Sequence, residues 1–320
     1  MVFLAAPGYV PPAPGPADLY VSAQHTWIGA DGSEWDLSAG LSGLRLLAGV
    51  RGLRNPPHTR YSRKSPGRPG SQYAGSVTDE RSVLWQLKVF RSGGSAAWIA
   101  HNDRFWQTMD RDAPGTWKVT QPGTDTQPAV MRWLKVRYDS LVDDTDDEDP
   151  GLVPWTTYGI NLVADEDPLW RGEPIRRRFT APSGQNFYGG SSGSGYGPPY
   201  YISSGQTTSS AAISNPGDEP TSPVLRVGGP TTNVRIGLAG HFVEFPMTLG
   251  EGETRQIDTD PGDQACYDQN GVDRTDELGA VDFFQVPKGT QVPLQISING
   301  AGYAEVELTP GYWRAKGPAL

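Results

Sequence analysis

The sequence predicts a mainly β protein with one short helix, organised as two domains. Short apolar segments separated by turn residues recur along the chain, which contains 40 glycines and 29 prolines among 320 residues. One segment, at about residues 95–111, instead has apolar residues at helical spacing. Charge also divides the chain, because residues 1–140 carry 16 Lys and Arg against 11 Asp and Glu, whereas residues 141–320 carry 11 against 25. These opposed halves indicate two domains with different neighbours.

The first strands follow a Pro- and Gly-rich start that ends near Pro16. Residues 19–21 and 26–28 predict strands. Residues 29–32 contain two glycines and an aspartate and predict a hairpin turn, with Trp35 on the return arm.

In the middle of the N-terminal half, the spacing of apolar residues changes from that of a strand to that of a helix and then back to that of a strand. Four apolar residues alternate with polar ones in a predicted strand: Val83, Trp85, Leu87 and Val89. Ser95 is predicted to cap the helix, and Pro114 with Gly115 ends it before strands at 117–120 and 130–138. The apolar residues of the helix segment are Trp98, Ile99, Phe105, Trp106 and Met109, and we expect Trp98, Phe105, Trp106 and Met109 in the core.

A basic segment between Arg51 and Gln72 has no periodicity. Its six basic residues are Arg51, Arg54, Arg60, Arg63, Lys64 and Arg68. A loop this long inside a compact domain is usually functional or disordered. Basic residues near Tyr61 and Tyr73 suit nucleic acid, and they equally suit an acidic protein surface, such as the acidic half of another subunit. We favour contact with protein.

The second domain is predicted to begin after the acidic run Asp143–Asp149 and a strand at 158–162. We place the boundary at Asp165, giving domains 1–165 and 166–320. A strand at 175–180 precedes a Gly- and Ser-rich tract at 183–210, which cannot fill a core.

From Pro223 onwards, short alternating strands predict a β-sandwich. Residues 292–298 predict one of these strands, and Asn299 with Gly300 predicts the tight turn after it. Residues 312–314 predict the last strand.

Chemistry is sparse in this sequence. None of the four histidines, His25, His58, His101 and His241, has a second ligand at metal-binding spacing. The acidic runs at 143–149 and 258–263 lack the ligand order of an EF-hand. The single cysteine, Cys266, excludes an intrachain disulfide. Catalytic and phosphate-binding motifs are absent, so we predict no enzyme, cofactor or metal site.

No apolar run is long enough to span a membrane, and residues 1–6 do not resemble a signal peptide, which predicts synthesis in a cytoplasm.

These segments together resemble the distal tail proteins of long non-contractile-tailed bacteriophages, especially the minor tail proteins of phages that infect actinobacteria. The resemblance is diffuse and covers most of the chain. Its N-terminal part lies in residues 51–73, 81–90, 105–109, 114–120 and 131–138. It continues through the link 165–170 and residues 257–259, 284–289 and 312–313.

The resemblance implies an N-terminal β-sandwich or split-barrel domain with one helix, and a C-terminal galectin-like β-sandwich. It implies a homohexameric ring in the virion that joins the tail tube protein to tail-tip or baseplate proteins and leaves a channel for DNA. The six basic residues would then lie at a subunit or ring-to-ring interface, and no membrane insertion is expected.

Two other functions remain open from the sequence. A carbohydrate-binding adhesin would stack exposed Trp and Tyr side chains of the C-terminal sandwich on host-surface sugars. A β-sandwich glycoside hydrolase or peptidoglycan-degrading enzyme would need two paired carboxylates, and nothing in the sequence selects two from its many acids.

Overall fold

The computed structural model describes residues 22–67, 69–123, 128–142, 152–180 and 211–317. The chain divides into two compact units. The N-terminal unit contains residues 1–170 together with 313–320, and the C-terminal unit contains residues 171–312. Residues 313–320 thus belong to the N-terminal unit. The sequence-based division at Asp165, which has a single boundary, places them in the second domain. The predicted mainly β fold is confirmed, whereas the expectations for residues 143–149 and 183–210 lie outside the described residues.

The N-terminal unit is built around one antiparallel sheet. Its elements are β1 (Gln24–Ile28), β2 (Glu34–Asp36), β3 (Leu44–Leu46), β4 (His58–Arg63), β5 (Gln72–Thr78), β6 (Arg81–Phe90), α1 (Ser95–Trp106), β7 (Gly115–Gln121), β8 (Val130–Leu141) and β9 (Trp155–Ala164), with β10 (Trp170–Arg171) at the boundary. Seven strands follow the order β2-β1-β7-β8-β9-β6-β3. The amide of Leu46 donates to the carbonyl oxygen of Leu37 at 2.8 Å, which brings the two edges together into a nearly closed barrel.

Tryptophans fill the inside of this barrel. Trp27, Trp85, Trp117 and Trp170 are each at most 1% exposed. The ring of Trp85 meets Trp27 at 5.3 Å and Trp117 at 5.4 Å between centroids, both edge to face, and Trp117 meets Trp170 at 5.0 Å. Such pairs contribute roughly 0.5–1.5 kcal/mol each beyond the area they bury. The core of the unit is therefore aromatic.

Strand β6 shows the predicted alternation in full. Its buried residues are Arg81, Val83, Trp85, Leu87 and Val89, and the residues between them are half-buried or exposed. Arg81 occupies one of the alternating positions that face the core, and it is only 1% exposed. The alternation that marks the core strand therefore also marks Arg81 as a buried cation.

Helix α1 is shorter than predicted. It ends at Trp106 rather than near residue 111, because the Thr108 hydroxyl donates to the Phe105 carbonyl at 2.7 Å and the chain then turns away. The prediction that Ser95 caps the helix is wrong: the capping position is Gly94, with φ 91°, and no side chain there bonds to the helix. Core positions are confirmed for Trp98 and Phe105, while Trp106 and Met109 are half-buried and Ile99 is exposed. No helix of the described ranges is long and apolar enough to cross a membrane.

The C-terminal unit contains two main sheets. Its strands are β11 (Ile175–Thr180), β12 (Ala212–Asn215), β13 (Val224–Gly228), β14 (Thr231–Leu238), β15 (His241–Phe245), β16 (Thr254–Asp258), β17 (Cys266–Asp268), β18 (Gly289–Pro293), β19 (Gln295–Gly300), β20 (Tyr303–Leu308) and β21 (Gly311–Tyr312). A five-stranded sheet has the order β11-β20-β13-β16-β17, and a three-stranded sheet has the order β15-β14-β19. Strands of both sheets contribute to one apolar cluster, as the sequence predicts for a sandwich.

The strand predicted at 292–298 is in fact two strands. Strand β18 ends at Pro293 and pairs with β12, whereas β19 starts at Gln295 and pairs with β14. Proline has no amide hydrogen to donate to a ladder, so pairing changes partner at this point. Gln291 in β18 has φ 57°, a left-handed backbone that also interrupts the extended chain.

Candidate assembly surface

The predicted basic segment forms a β-hairpin rather than an irregular loop. Strands β4 and β5 pair antiparallel from His58 opposite Thr78 to Arg63 opposite Gln72. Every residue of β4 is exposed, and β5 is exposed except for half-buried Gly75 and Thr78. A strand with both faces in water has no reason to alternate apolar and polar residues, which is why the sequence shows no period there.

The hairpin pairs with no further described strand. Both of its outer edges therefore present backbone groups that could pair with another chain. It also exposes large apolar side chains, with Tyr61 53%, Tyr73 56% and Val77 55% exposed. An isolated two-stranded hairpin is at best marginally stable in water, so a surface of this kind gains stability when a partner covers it.

Local hydrogen bonds hold the base of the hairpin. The amide of Asp79 donates to the carbonyl oxygen of Pro57 at 3.0 Å, and the hydroxyl of Thr59 donates to the carboxylate of Asp79 at 3.0 Å. Pro56, just before the hairpin, is buried. The hairpin is thus fixed at one end and exposed along its length.

The structure brings three of the six predicted interface cations onto this hairpin. Arg60 and Arg63 lie on β4, and Lys64 follows it; the guanidinium of Arg60 lies 5.2 Å from the ring centroid of Tyr73. Arg51 and Arg54 precede the hairpin, and their backbones are bonded to β6, where the Arg51 amide donates to the Leu84 carbonyl oxygen at 2.9 Å and Arg81 donates to the Arg54 carbonyl oxygen. The sixth, Arg68, lies outside the described residues.

These five cations are exposed and unpaired. None of Arg51, Arg54, Arg60, Arg63 and Lys64 forms an ion pair with a carboxylate of the described residues. Cations without a partner in their own chain are free to attract an acidic surface elsewhere. The hairpin therefore combines unpaired backbone edges, exposed tyrosines and uncompensated positive charge.

Arg81 lies beside this surface, and no sequence motif predicted a role for it. Its guanidinium donates to the carbonyl oxygens of Gly52 at 2.8 Å, Pro168 at 2.6 Å and Trp313 at 3.0 Å, and also to that of Arg54. Burial lowers the pKa of Arg81 to about 10, which the charge of Asp167 partly opposes. One buried cation therefore anchors the segment that leads into the hairpin.

Three observations on the described residues concern metal and nucleophile chemistry. No group of three or more His, Cys, Asp and Glu among them could hold a metal ion. Burial raises the pKa of Cys266 to about 11, so its thiol stays protonated at neutral pH and is a poor nucleophile. His241 and Asp282 form a 2.9 Å pair with both side chains more than half exposed.

The fold and the exposed hairpin define a β protein of two units with a surface suited to assembly. No family model matches the sequence, and no curated protein matches it. Among solved structures, the Dit protein of phage SPP1, described as a paradigm of the hub adsorption apparatus in phages infecting Gram-positive bacteria, is similar with a TM-score of 0.60 and 16% identity, over 91% of this chain and 99% of that chain.

Two structures of the phage P2 baseplate in its activated conformation are also similar. The one with Ca has a TM-score of 0.52 at 11% identity, and the one with Sr has 0.51 at 12%, each over 94% of this chain and 100% of that chain. At these identities, the likeness shows a shared fold.

Proposed function

We propose that the chain is a structural virion protein, a hexameric hub that joins a phage tail tube to the tail-tip or baseplate proteins and surrounds the DNA channel. The observation that carries the proposal is the fold shared with the Dit protein of SPP1 across both units. A protein of this kind acts through symmetric contacts and is not an enzyme.

In this proposal the hairpin β4–β5 is the element that reaches a neighbouring subunit or ring. The residues assigned to that interface are Arg51, Arg54, Arg60, Arg63, Lys64 and Arg68. The exposed Tyr61, Tyr73 and Val77 would supply apolar contact area, and the unpaired edges would supply backbone hydrogen bonds. Positive charge around them would select an acidic surface and set its register.

The partners follow from the same role. The chain would contact other copies of itself, the major tail tube protein and the tail-tip proteins, and DNA would only pass through the channel. Synthesis in the host cytoplasm, assembly into the virion and an actinobacterial host stay predictions from the sequence.

A carbohydrate-binding adhesin is the alternative, and the C-terminal unit offers little for it. Residues 171–312 contain no tryptophan. The ring of Tyr303 lies under the guanidinium of Arg178, 3.8 Å away, and among the described residues of this unit Tyr267 is the exposed aromatic side chain, at 37%. Sugar rings bind on open aromatic faces, so the hub is the better supported role.

The test is the mass and shape of the purified chain, by light scattering and negative-stain microscopy, alone and with isolated tail tubes. We expect six-fold rings with a central opening, free or seated on tube ends. A chain that stays monomeric in both settings would overturn the hub proposal.

A triple variant then tests the hairpin. Arg60→Ser, Arg63→Ser and Lys64→Ser together should prevent ring formation. The matched control removes three exposed cations elsewhere, with Arg111→Ser, Arg177→Ser and Lys288→Ser. If both triple variants form rings equally well, the basic hairpin is not the interface.

A further inference from the structure

A second positively charged surface lies in a cleft between helix α1 and strand β2. The cleft has a volume of about 650 Å³ and opens to solvent. Helix α1 lines it with Ala97, Ala100, His101 and Arg104, whose spacing of three, one and three places them on one helical face. Ser33, Glu34, Trp35, Ser42 and Arg91 form the other side. This volume lies within the range of about 300–1,000 Å³ found for ligand pockets.

Two arginines give the cleft its charge. Neither Arg91 nor Arg104 pairs with a carboxylate of the part of the chain that the structure describes. The cleft's own carboxylate, Glu34, is paired with Lys118 at 3.5 Å. Burial, and then the charge of Arg91, lower the pKa of His101; a hydrogen bond with the backbone of Gly43 opposes them, and the charge of Arg104 adds a smaller lowering effect. The imidazole is therefore neutral at pH 7. The charge of Arg104 acts on the carboxylate of Asp31 without forming an ion pair, and Arg91 has no carboxylate partner among the described residues.

The walls between the charges are apolar and aromatic. Trp35 is 6% exposed, and the guanidinium of Arg104 lies 5.6 Å from its ring centroid. The His101 ring lies 5.5 Å from the same tryptophan. Arg104 also stands in the last turn of α1, where a cation favours the helix dipole, but that role does not account for Arg91. Two guanidiniums that form no ion pair with a described carboxylate, beside the methyl groups of two alanines, suit carboxylates carried on a peptide.

We propose that this cleft binds an acidic peptide segment of a second copy of this chain, namely residues 143–149. That segment carries six carboxylates in seven residues. Of the described residues that flank it, Val142 is 58% exposed and Leu152 is 84% exposed. The described residues on either side of the segment are thus exposed and apolar, and in a second copy they would contact the alanines of the cleft. The choice of a second copy rests on the proposed function, which places copies side by side.

Peptide binding tests the cleft without requiring ring assembly. A fluorescein-labelled peptide with the sequence of residues 141–154 is titrated with the full chain, and anisotropy reports the dissociation constant. We expect saturable binding that weakens as salt rises. A matched peptide with Asn and Gln in place of Asp and Glu should not bind at the same concentrations.

Two double variants locate the site. Arg91→Ser with Arg104→Ser should weaken binding at least tenfold, because both guanidiniums are lost. Arg60→Ser with Arg63→Ser removes the same charge from the hairpin and should leave the dissociation constant within twofold. Equal effects of the two double variants, or equal binding of the neutral peptide, would overturn the proposal.

A further variant shows whether the segment in the cleft comes from the same chain or from a second copy. This host variant has its own residues 143–149 neutralised to Asn and Gln. If the peptide binds the unaltered chain about as well as this host, the cleft is open to a second copy. At chain concentrations where light scattering shows monomers, binding only to the neutralised host would show that each chain fills its own cleft, which overturns the second copy as occupant. If the chain forms rings but does not bind the peptide, only this inference is overturned. If the chain binds the peptide but forms no rings, only the hub proposal is overturned.

Discussion

The guanidinium of Arg81 donates to the carbonyl oxygen of Trp313 at 3.0 Å, across 232 positions of sequence. The same side chain donates to Pro168 at 2.6 Å. These two carbonyls lie beside the points where the chain leaves the N-terminal unit after Trp170 and re-enters it at Trp313. Within the N-terminal unit, one residue therefore holds together the segment near Pro168, the segment near Trp313 and the segment that leads to the hairpin.

Arg81→Met is expected to lower the free energy of unfolding by about 3–5 kcal/mol. Methionine fills much of the volume but removes the charged donor from the carbonyl oxygens of Arg54, Pro168 and Trp313, whereas the Gly52 oxygen still accepts from the indole of Trp170 at 3.1 Å. Each unsatisfied group costs roughly 1–3 kcal/mol before relaxation. Arg81→Lys should lose less, since it keeps one charged donor. Urea denaturation followed by tryptophan fluorescence measures both, with the exposed Arg51→Met as control. An Arg81→Met midpoint equal to the control's would refute this role.

Trp106→Ala is expected to cost about 2–3 kcal/mol, less than Phe105→Ala at about 3–5 kcal/mol. Phe105 is fully buried, whereas Trp106 is half-buried and packs edge to face on Tyr158 at 5.0 Å and Tyr138 at 6.0 Å. Chemical denaturation of the two variants gives the comparison. An unchanged stability for Trp106→Ala would mean that these ring contacts contribute nothing.

The predictable parts of the fold were those where burial is asymmetric. Strand β6 buries one face, so its alternation of apolar and polar residues predicts a strand. The same alternation places Arg81 on the buried face. Hairpin β4–β5 is exposed on both faces, so the same test finds no strand there even though one exists. The break at Pro293 was missed by the prediction of one strand at 292–298, although the proline is visible in the sequence. The change of partner strand depends on packing that no local pattern records.

The candidate sites divide in the same way. The density of basic residues between Arg51 and Arg68 could be counted directly from the sequence. The cleft could not, because Arg91 and Arg104 become neighbours of Trp35 only when α1 packs beside β2. The partners of Arg81 are backbone carbonyls from three distant segments, and carbonyls carry no sequence signal at all.

Glu305→Gln tests a buried carboxylate on the five-stranded sheet. Glu305 is 8% exposed and accepts from Arg178 at 3.1 Å and from Arg226 at 3.0 Å. The amide removes the charge that both guanidiniums share, so we expect a loss of about 1–3 kcal/mol, at the lower end because water screens the half-exposed Arg178. The control is Glu307→Gln, whose partner Arg176 is 62% exposed, and its unfolding midpoint should stay near that of the unaltered chain. Equal midpoints for the two variants would contradict the bridging role.

His25 should make the N-terminal unit less stable in mild acid. Burial, and then the charge of Lys316, lower the pKa of His25 from 6.5 to about 4, and its ring stacks on Trp117 with centroids 5.7 Å apart. Between these two pH values the unfolded chain binds a proton on this residue that the folded chain does not bind. The stabilisation is therefore complete above pH 6.5 and is lost as pH falls towards 4, up to about 3 kcal/mol.

The measurement is the free energy of unfolding at pH 7.5 and pH 4.5, for the unaltered chain and for His25→Phe, which keeps an aromatic ring against Trp117. Carboxylates titrate in the same range, so the difference between the two chains is what counts. That difference should move in favour of His25→Phe by about 2–3 kcal/mol on acidification. His58→Gln, on the exposed hairpin, should keep the slope of the unaltered chain. Parallel slopes for His25→Phe and the unaltered chain would show that His25 takes up its proton equally in the folded and unfolded states.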